Sequence, residues 1–303
     1  QLLLAHPERL PESPYETPTN LESLFYYPHR WFFRQKLKLY PASLLSVTGD
    51  NTLLGSLAHR FFELFLQETD CLAWERPHLN SWIDSMAGNL LEREGATLLL
   101  YGREPDRNQF LNRVKNAAWS LITHLRTNGW SVYGTEQELK GTIAGYPIQG
   151  KADLVINRNG SEWAIVDLKW SGARRRLDMI RNGEDLQLIL YAKLLPPEEA
   201  WAHTAYFILE DGKMIARNKE AFRDAVVAAG MWETHVDACR EIFERMMRTL
   251  NWRMDQVQKG RIELRNARTA SELEAIYGVE LLDLLEMKNE DAWWDDYRMV
   301  LGQ

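Results

Sequence analysis

Asp167 and Lys169 stand two residues apart at the end of the apolar run Trp163-Ala164-Ile165-Val166-Asp167-Leu168-Lys169. In an extended strand alternate side chains share a face, so the carboxylate and the ammonium point one way while Ala164, Val166 and Leu168 point the other. Charged groups in such a setting are costly unless solvated, paired or bound to metal. A second run, Gly150-Lys151-Ala152-Asp153-Leu154-Val155-Ile156, sets Asp153 among small and apolar neighbours. The connection Asn157-Arg158-Asn159-Gly160 folds the two runs into a hairpin, Asn-Gly being a strong short hairpin signal. Asp153 and Asp167 can then converge, and two hard oxygen ligands with solvent suit Mg²⁺ or Mn²⁺. The same residues also fit a plain Asp–Lys ion pair at a sheet end.

Further residues carry weaker chemistry. His59 and Glu63 lie one helical turn apart on one face, and Gln187 and Tyr191 repeat that spacing. Both pairs equally suit polar positions of a packed amphipathic helix. Trp170-Ser171-Gly172-Ala173-Arg174-Arg175-Arg176 leaves the Asp-Lys strand as a loop with three arginines. Phosphate contacts and a solvated basic loop are the two uses open to it.

These residues need elements to hold them. Prolines 7, 11, 14 and 18 keep residues 1 to 18 extended, and Thr19-Asn20 offers a cap for a helix that Pro28 kinks or restarts. Leu53, Leu54, Leu57, Phe61, Leu64 and Phe65 mark a helix over 52 to 67. Residues 71 to 130 read as a helical insertion that stops at Asn128-Gly129. Strands are expected over 131 to 139, 146 to 156, 163 to 169 and 201 to 209, with a helix over 184 to 195. Helices follow over 219 to 254 and 271 to 286. The acidic-aromatic stretch 289 to 297 either docks on another domain or closes the fold. The expected organisation is a single domain over 1 to 303. It has an N-terminal segment (1 to 43), a core (44 to 70 and 131 to 212), the insertion (71 to 130) and a C-terminal helical part (213 to 303).

With 303 residues, 45% hydrophobic and 26% charged, the chain can bury a sizeable core. No apolar run approaches the ~20 residues that span a bilayer, so no membrane partner is expected. The opening residues lack a basic-then-apolar leader, which suits a cytoplasmic protein, and Gln1 suits an excised part of a longer chain. Two cysteines, Cys71 and Cys239, exclude a dense disulfide framework and a four-cysteine metal site within one chain. A net charge of -7 argues against holding nucleic acid by bulk electrostatics, though basic residues confined to one groove remain compatible with it.

Four segments in order resemble the RecB-like nucleases of the PD-(D/E)XK superfamily, as found in RecB, AddB and CRISPR-associated exonucleases. They are Gly55-Ser56-Leu57-Ala58-His59-Arg60-Phe61-Phe62-Glu63, Gly150-Lys151-Ala152-Asp153-Leu154-Val155, Val166-Asp167-Leu168-Lys169-Trp170-Ser171-Gly172, and Gln187-Leu188-x-x-Tyr191-Ala192. The resemblance covers roughly residues 20 to 260. It implies an α/β fold with a restriction-endonuclease-like core, helix-strand-strand-strand-helix-strand around a mixed sheet. It also implies that His59, Asp153, Asp167 and the Leu168 carbonyl hold Mg²⁺ or Mn²⁺, that Lys169 positions the attacking water, and that Gln187 and Tyr191 brace the site or touch DNA. Glu63 and Glu136 would support the ligands, and Arg174, Arg175 and Arg176 would meet phosphates. Many of the RecB-like nucleases it resembles carry an iron-sulfur cluster held by an early cysteine before a proline and three late ones. Here Tyr27-Pro28 stands at the early position and only Cys239 remains near the C-terminus, so no cluster is expected. Phe25, Tyr26, Trp31 and Phe32 are expected to pack that segment instead.

The expected activity is therefore DNA phosphodiester hydrolysis, exonuclease-like on single-stranded or end-bearing DNA. The setting would be prokaryotic repair, recombination or anti-phage defence, beside a helicase or other ATPase. The competing expectations are a catalytically silent nucleic-acid-binding or scaffolding module and a hydrolase of other phosphoesters.

Overall fold

A computed structural model describes residues 2–40, 50–196, 201–228 and 230–264, with positions 271, 275, 284, 285, 288, 297 and 300. In chain order, strand β1 (Leu2–Leu3) precedes helices α1 (Pro18–Tyr26) and α2 (Pro28–Trp31) and a π-helical turn (Phe32–Lys36). Helices α3 (Asp50–Leu66), α4 (Arg76–Glu94) and α5 (Glu104–Thr127) follow, then strands β2 (Ser131–Ile143), β3 (Tyr146–Arg158) and β4 (Glu162–Lys169). Helices α6 (Ala173–Arg181) and α7 (Leu186–Leu194) lead to β5 (His203–Ile208), β6 (Lys213–Ala216) and β7 (Val226–Val227). Helix α8 (His235–Gln258) and strand β8 (Arg261–Ile262) come last.

Among the described residues the architecture is mixed α/β, built on a six-stranded sheet in the order β2-β3-β4-β5-β6-β7. β3 and β4 run antiparallel, β4 and β5 parallel, β5 and β6 antiparallel, and β6 and β7 parallel. The chain divides into two compact units, residues 1–44, 140–150 and 239–303 in one, and 45–139 and 151–238 in the other.

In the larger unit, alternation along β4 sorts its side chains between two cores. Ala164, Val166 and Leu168 pack with Leu57, Phe61 and Phe65 of α3 and with Phe110, Val114 and Leu121 of α5. Ile165 packs on the opposite face with Leu188, Tyr191 and Ala192 of α7. The central strands thus carry helices on both faces, and the crossover that the parallel β4–β5 pair needs, α6–α7, supplies one of the two layers. Asn159 and Gly160 both take positive φ, 56° and 71°, and close the β3–β4 hairpin at the expected place.

In the smaller unit, β1 pairs antiparallel with β8, and Glu16 bridges to Ile148. Phe25, Tyr26, Trp31 and Phe32 are all buried. The α1 cap is Thr17, whose hydroxyl accepts the Asn20 N–H, two residues ahead of the expected pair. Pro18, with its fixed φ and missing N–H, suits the first helical position and draws the start forward. α1 ends at Tyr26 and the chain restarts at Pro28 as α2, the second of the two outcomes expected there.

Two expectations are corrected. Arg174, Arg175 and Arg176 lie on α6, not on a loop, because Gly172 in the left-handed region turns the chain straight from β4 into a helix. The sheet also continues past residue 212, into the stretch expected to be helical. β6 and β7 add two strands, and the helix expected from 219 starts at His235. Val226 and Val227 are β-branched and pair with Ile215 and Ala216, and the Asn218 side chain accepts the Glu220 N–H in a turn that precludes helix there. The helix expected over 271 to 286 and the stretch 289 to 297 fall mostly outside the described residues. Among the described residues no helix is long and apolar enough to cross a membrane.

Candidate metal centre

The β3–β4 register runs from Arg158↔Glu162 to Leu154↔Val166 and stops there, one residue before Asp153 would face Asp167. Ala152 and Val155 pack in the same core although three residues apart, so strict alternation in β3 breaks between them. Beyond the break the Asp153 carboxylate takes over a ladder function. Its Oδ2 accepts the Leu168 N–H at 2.8 Å.

Glu136 in β2 adopts φ 47°, a left-handed conformation rare for a non-glycine residue and disruptive within a strand. His59 approaches from α3, with Nδ1 3.8 Å from Asp153 Oδ2. His59, Glu136 and Asp153 each offer a ligand atom within 4.8 Å of the others. Lys169 Nζ lies 2.6 Å from Asp167 Oδ2 and 4.0 Å from Asp153 Oδ2. Asp167 is buried, and despite that close ammonium its Oδ2 has no hydrogen bond of acceptable alignment.

The charges are unevenly settled. Burial, and then the neighbouring Asp167 carboxylate, push the Asp153 carboxyl up to about 7, against the opposing pull of Lys169 and the Leu168 N–H. The contacts at 3.8 and 4.0 Å are too long to be hydrogen bonds, so the pull of Lys169 is coulombic only and offsets the burial in part. Burial and then Lys169 hold His59 below its ordinary value, which leaves a neutral imidazole with a lone pair to give. A neutral imidazole, clustered carboxylates and a buried carboxylate oxygen without an aligned donor together fit a hard divalent cation.

Helix α7 supports this corner from the other core. Tyr191 Oη donates to the Lys151 carbonyl at 2.8 Å and receives Gln187 Nε2 at 3.4 Å. The pair expected from the sequence therefore grips β3 where β3 leaves β4. Burial, mainly, raises the Tyr191 phenol, with Asp153 and Asp167 adding to the effect.

The other expected residues are placed as follows. Glu63 accepts from Arg60 Nη1 at 2.6 Å and lies outside the His59–Glu136–Asp153 group. Arg174 and Arg175 are exposed on α6. Arg176 is half-buried, its guanidinium 5.2 Å from the centre of the Tyr206 ring, and Tyr206 pairs with Asp167 across β4–β5. Cys71 and Cys239 are both buried thiols, and burial pushes the Cys71 thiol up to about 11.

One residue at the site was passed over in the sequence. Lys151 Nζ lies 3.4 Å from Glu136 Oε2. The available signal was its spacing, two residues before Asp153 and hence on the same strand face. No family model matches the sequence, and no curated protein matches it at a significant level.

Proposed function

We propose that this chain is a divalent-metal-dependent nuclease of the RecB-like PD-(D/E)XK kind, hydrolysing phosphodiester bonds in DNA. The observation that carries the reading is the meeting of His59, Glu136 and Asp153 beside Asp167-Leu168-Lys169, at the point where β3 departs from β4. The succession α3, β2, β3, β4, α6–α7, β5, with β3–β4 antiparallel and β4–β5 parallel, is compatible with a restriction-endonuclease-like core.

Mg²⁺ or Mn²⁺ held by His59, Asp153, Asp167 and the Leu168 carbonyl, with Glu136 in reach, would polarise the scissile phosphate and acidify a water. The chain's own groups supply the rest. Asp153 fixes the Leu168 peptide through its N–H, so that one carboxylate both binds and orients. Lys169, at the mouth of the carboxylate cluster, donates to the attacking water and to the phosphate oxygen where charge grows. Tyr191 and Gln187 keep β3 splayed from β4. Arg174 and Arg175, exposed on the helix that leaves β4, reach for phosphates along the strand. Such a helix favours a nucleic acid over a small phosphoester. Single-stranded or end-bearing DNA is the substrate class, in repair, recombination or defence, next to a helicase or other ATPase.

The test is cleavage of end-labelled single- and double-stranded DNA in Mg²⁺ or Mn²⁺ by wild type, Asp167→Ala and Lys169→Ala. Wild-type cutting with at least a hundredfold loss in both folded variants supports the reading. Binding without cutting favours a silent scaffold, and cutting that survives both changes relocates the site.

A further inference from the structure

Lys151, whose Nζ lies 3.4 Å from Glu136 Oε2, is a basic residue that the proposed chemistry leaves without a task. Its side chain is 64% exposed, while Glu136, its partner at 3.4 Å, is 31% exposed. A solvated pair of this kind contributes little to stability, so packing gives no strong reason for a lysine here. Its backbone, by contrast, is held firmly. The buried Tyr191 hydroxyl donates to the Lys151 carbonyl, and Gln187 in turn contacts Tyr191. Two residues later on the same strand stands Asp153. The arrangement is an anchored backbone with an exposed cationic tip beside a carboxylate of the candidate metal centre.

We propose that Lys151 binds a phosphate of the nucleic-acid strand at the metal centre, and that Glu136 holds its ammonium until a divalent cation takes that carboxylate. The inference rests on the metal-centre reading above and adds a residue to it. Glu136 belongs to the only group of three His, Cys, Asp or Glu ligands close enough to share an ion among the described residues. Drawing Glu136 to a doubly charged ion weakens its hold on Lys151, and the like charge of that ion turns the ammonium outward. The freed tip then meets the phosphate that the same ion attracts. Lys169 is differently placed, 2.6 Å from the buried Asp167 carboxylate, and stays with the reacting atoms. One lysine therefore serves the reaction and the other the strand.

Two equilibria with opposite expected signs test this. The probes are Mn²⁺ alone, by calorimetry, and a fluorescent oligothymidylate in Ca²⁺ at several salt concentrations. Lys151→Ala should strengthen Mn²⁺ binding severalfold, because a competing cation is gone. It should weaken oligonucleotide binding about tenfold and lower the salt slope by about one. Lys151→Arg should restore most of the strand affinity. Weakened Mn²⁺ binding in Lys151→Ala would make the residue a mere support for Glu136 and overturn the proposal. Unchanged strand affinity beside a wild type that binds both probes overturns it as well. A wild type that binds neither probe instead removes the metal-centre reading, and the lysine's role with it.

Discussion

At Asp153 a single carboxyl answers three demands: it accepts the Leu168 N–H, faces His59 and crowds Asp167. Burial and that crowding make its charged form costly when no cation is bound, as the rise to about 7 expresses. Asn keeps an acceptor for the Leu168 N–H and removes the charge. Asp153→Asn should therefore abolish Mn²⁺ binding and cleavage, yet raise the stability of metal-free protein at pH 8 by about 1–2 kcal/mol. Urea unfolding in EDTA reads the second effect, and a destabilised variant would show that the crowding is relieved by other means. The stability margin of such a site is spent on function, a common reason for like charges to be buried together.

On α6 the three arginines are not equivalent. Arg174 and Arg175 face solvent, whereas Arg176 lies over the Tyr206 ring and donates to Met179 Sδ at 3.0 Å. Replacing Arg174 and Arg175 together by Ala should leave the midpoint of thermal unfolding within a degree or two and weaken strand binding, with a shallower salt dependence. Arg176→Ala should cost about 1 kcal/mol of stability through lost packing and cation–π contact. Equal stability loss in both variants would show that the helix surface, not the charges, is what matters. The helix itself escaped sequence reading because three arginines after a Ser-Gly pair resemble a loop. Its start is set by one glycine at φ 94°, and the signal that was available is the apolar spacing of Ala173, Leu177 and Ile180, which pack into one core.

For the molecule as a whole, acid stability is expected to depend on histidines that burial holds neutral. His235 is buried at the start of α8, its Nε2 2.9 Å from the Ala202 carbonyl, and its ring is stacked on His203 at 5.3 Å. Burial brings its pKa down to about 4, with His203 and Arg217 adding to the effect against the Ala202 carbonyl. The unfolded chain, with an ordinary imidazole, takes up the proton first as pH falls. The stability that this group contributes is therefore full above about 6.5 and is lost progressively toward pH 4, on the order of 2–3 kcal/mol. His235→Gln, which retains a donor for Ala202, should flatten that limb in unfolding measured from pH 7 to pH 4. An unchanged limb would assign acid sensitivity to His124 or His203, both also held low by burial.

Local periodicity determined much of this protein. Alternation placed Asp167 and Lys169 on one face of β4, the 3.6-residue pattern marked α3, and Asn-Gly fixed the hairpin that brings Asp153 near. Those signals act over a few residues and are carried by the side chains themselves. The remainder depended on partners distant in sequence. Glu136 meets the other two ligand candidates at a left-handed residue of β2, and His59 reaches it across a long helical insertion. Lys151 gains its neighbour, and Tyr191 its acceptor, only where β3 parts from β4. No short-range rule states where a ladder must end. That is decided when Asp153, in competition with the strand's own backbone, takes the Leu168 N–H, and only the folded core sets the outcome.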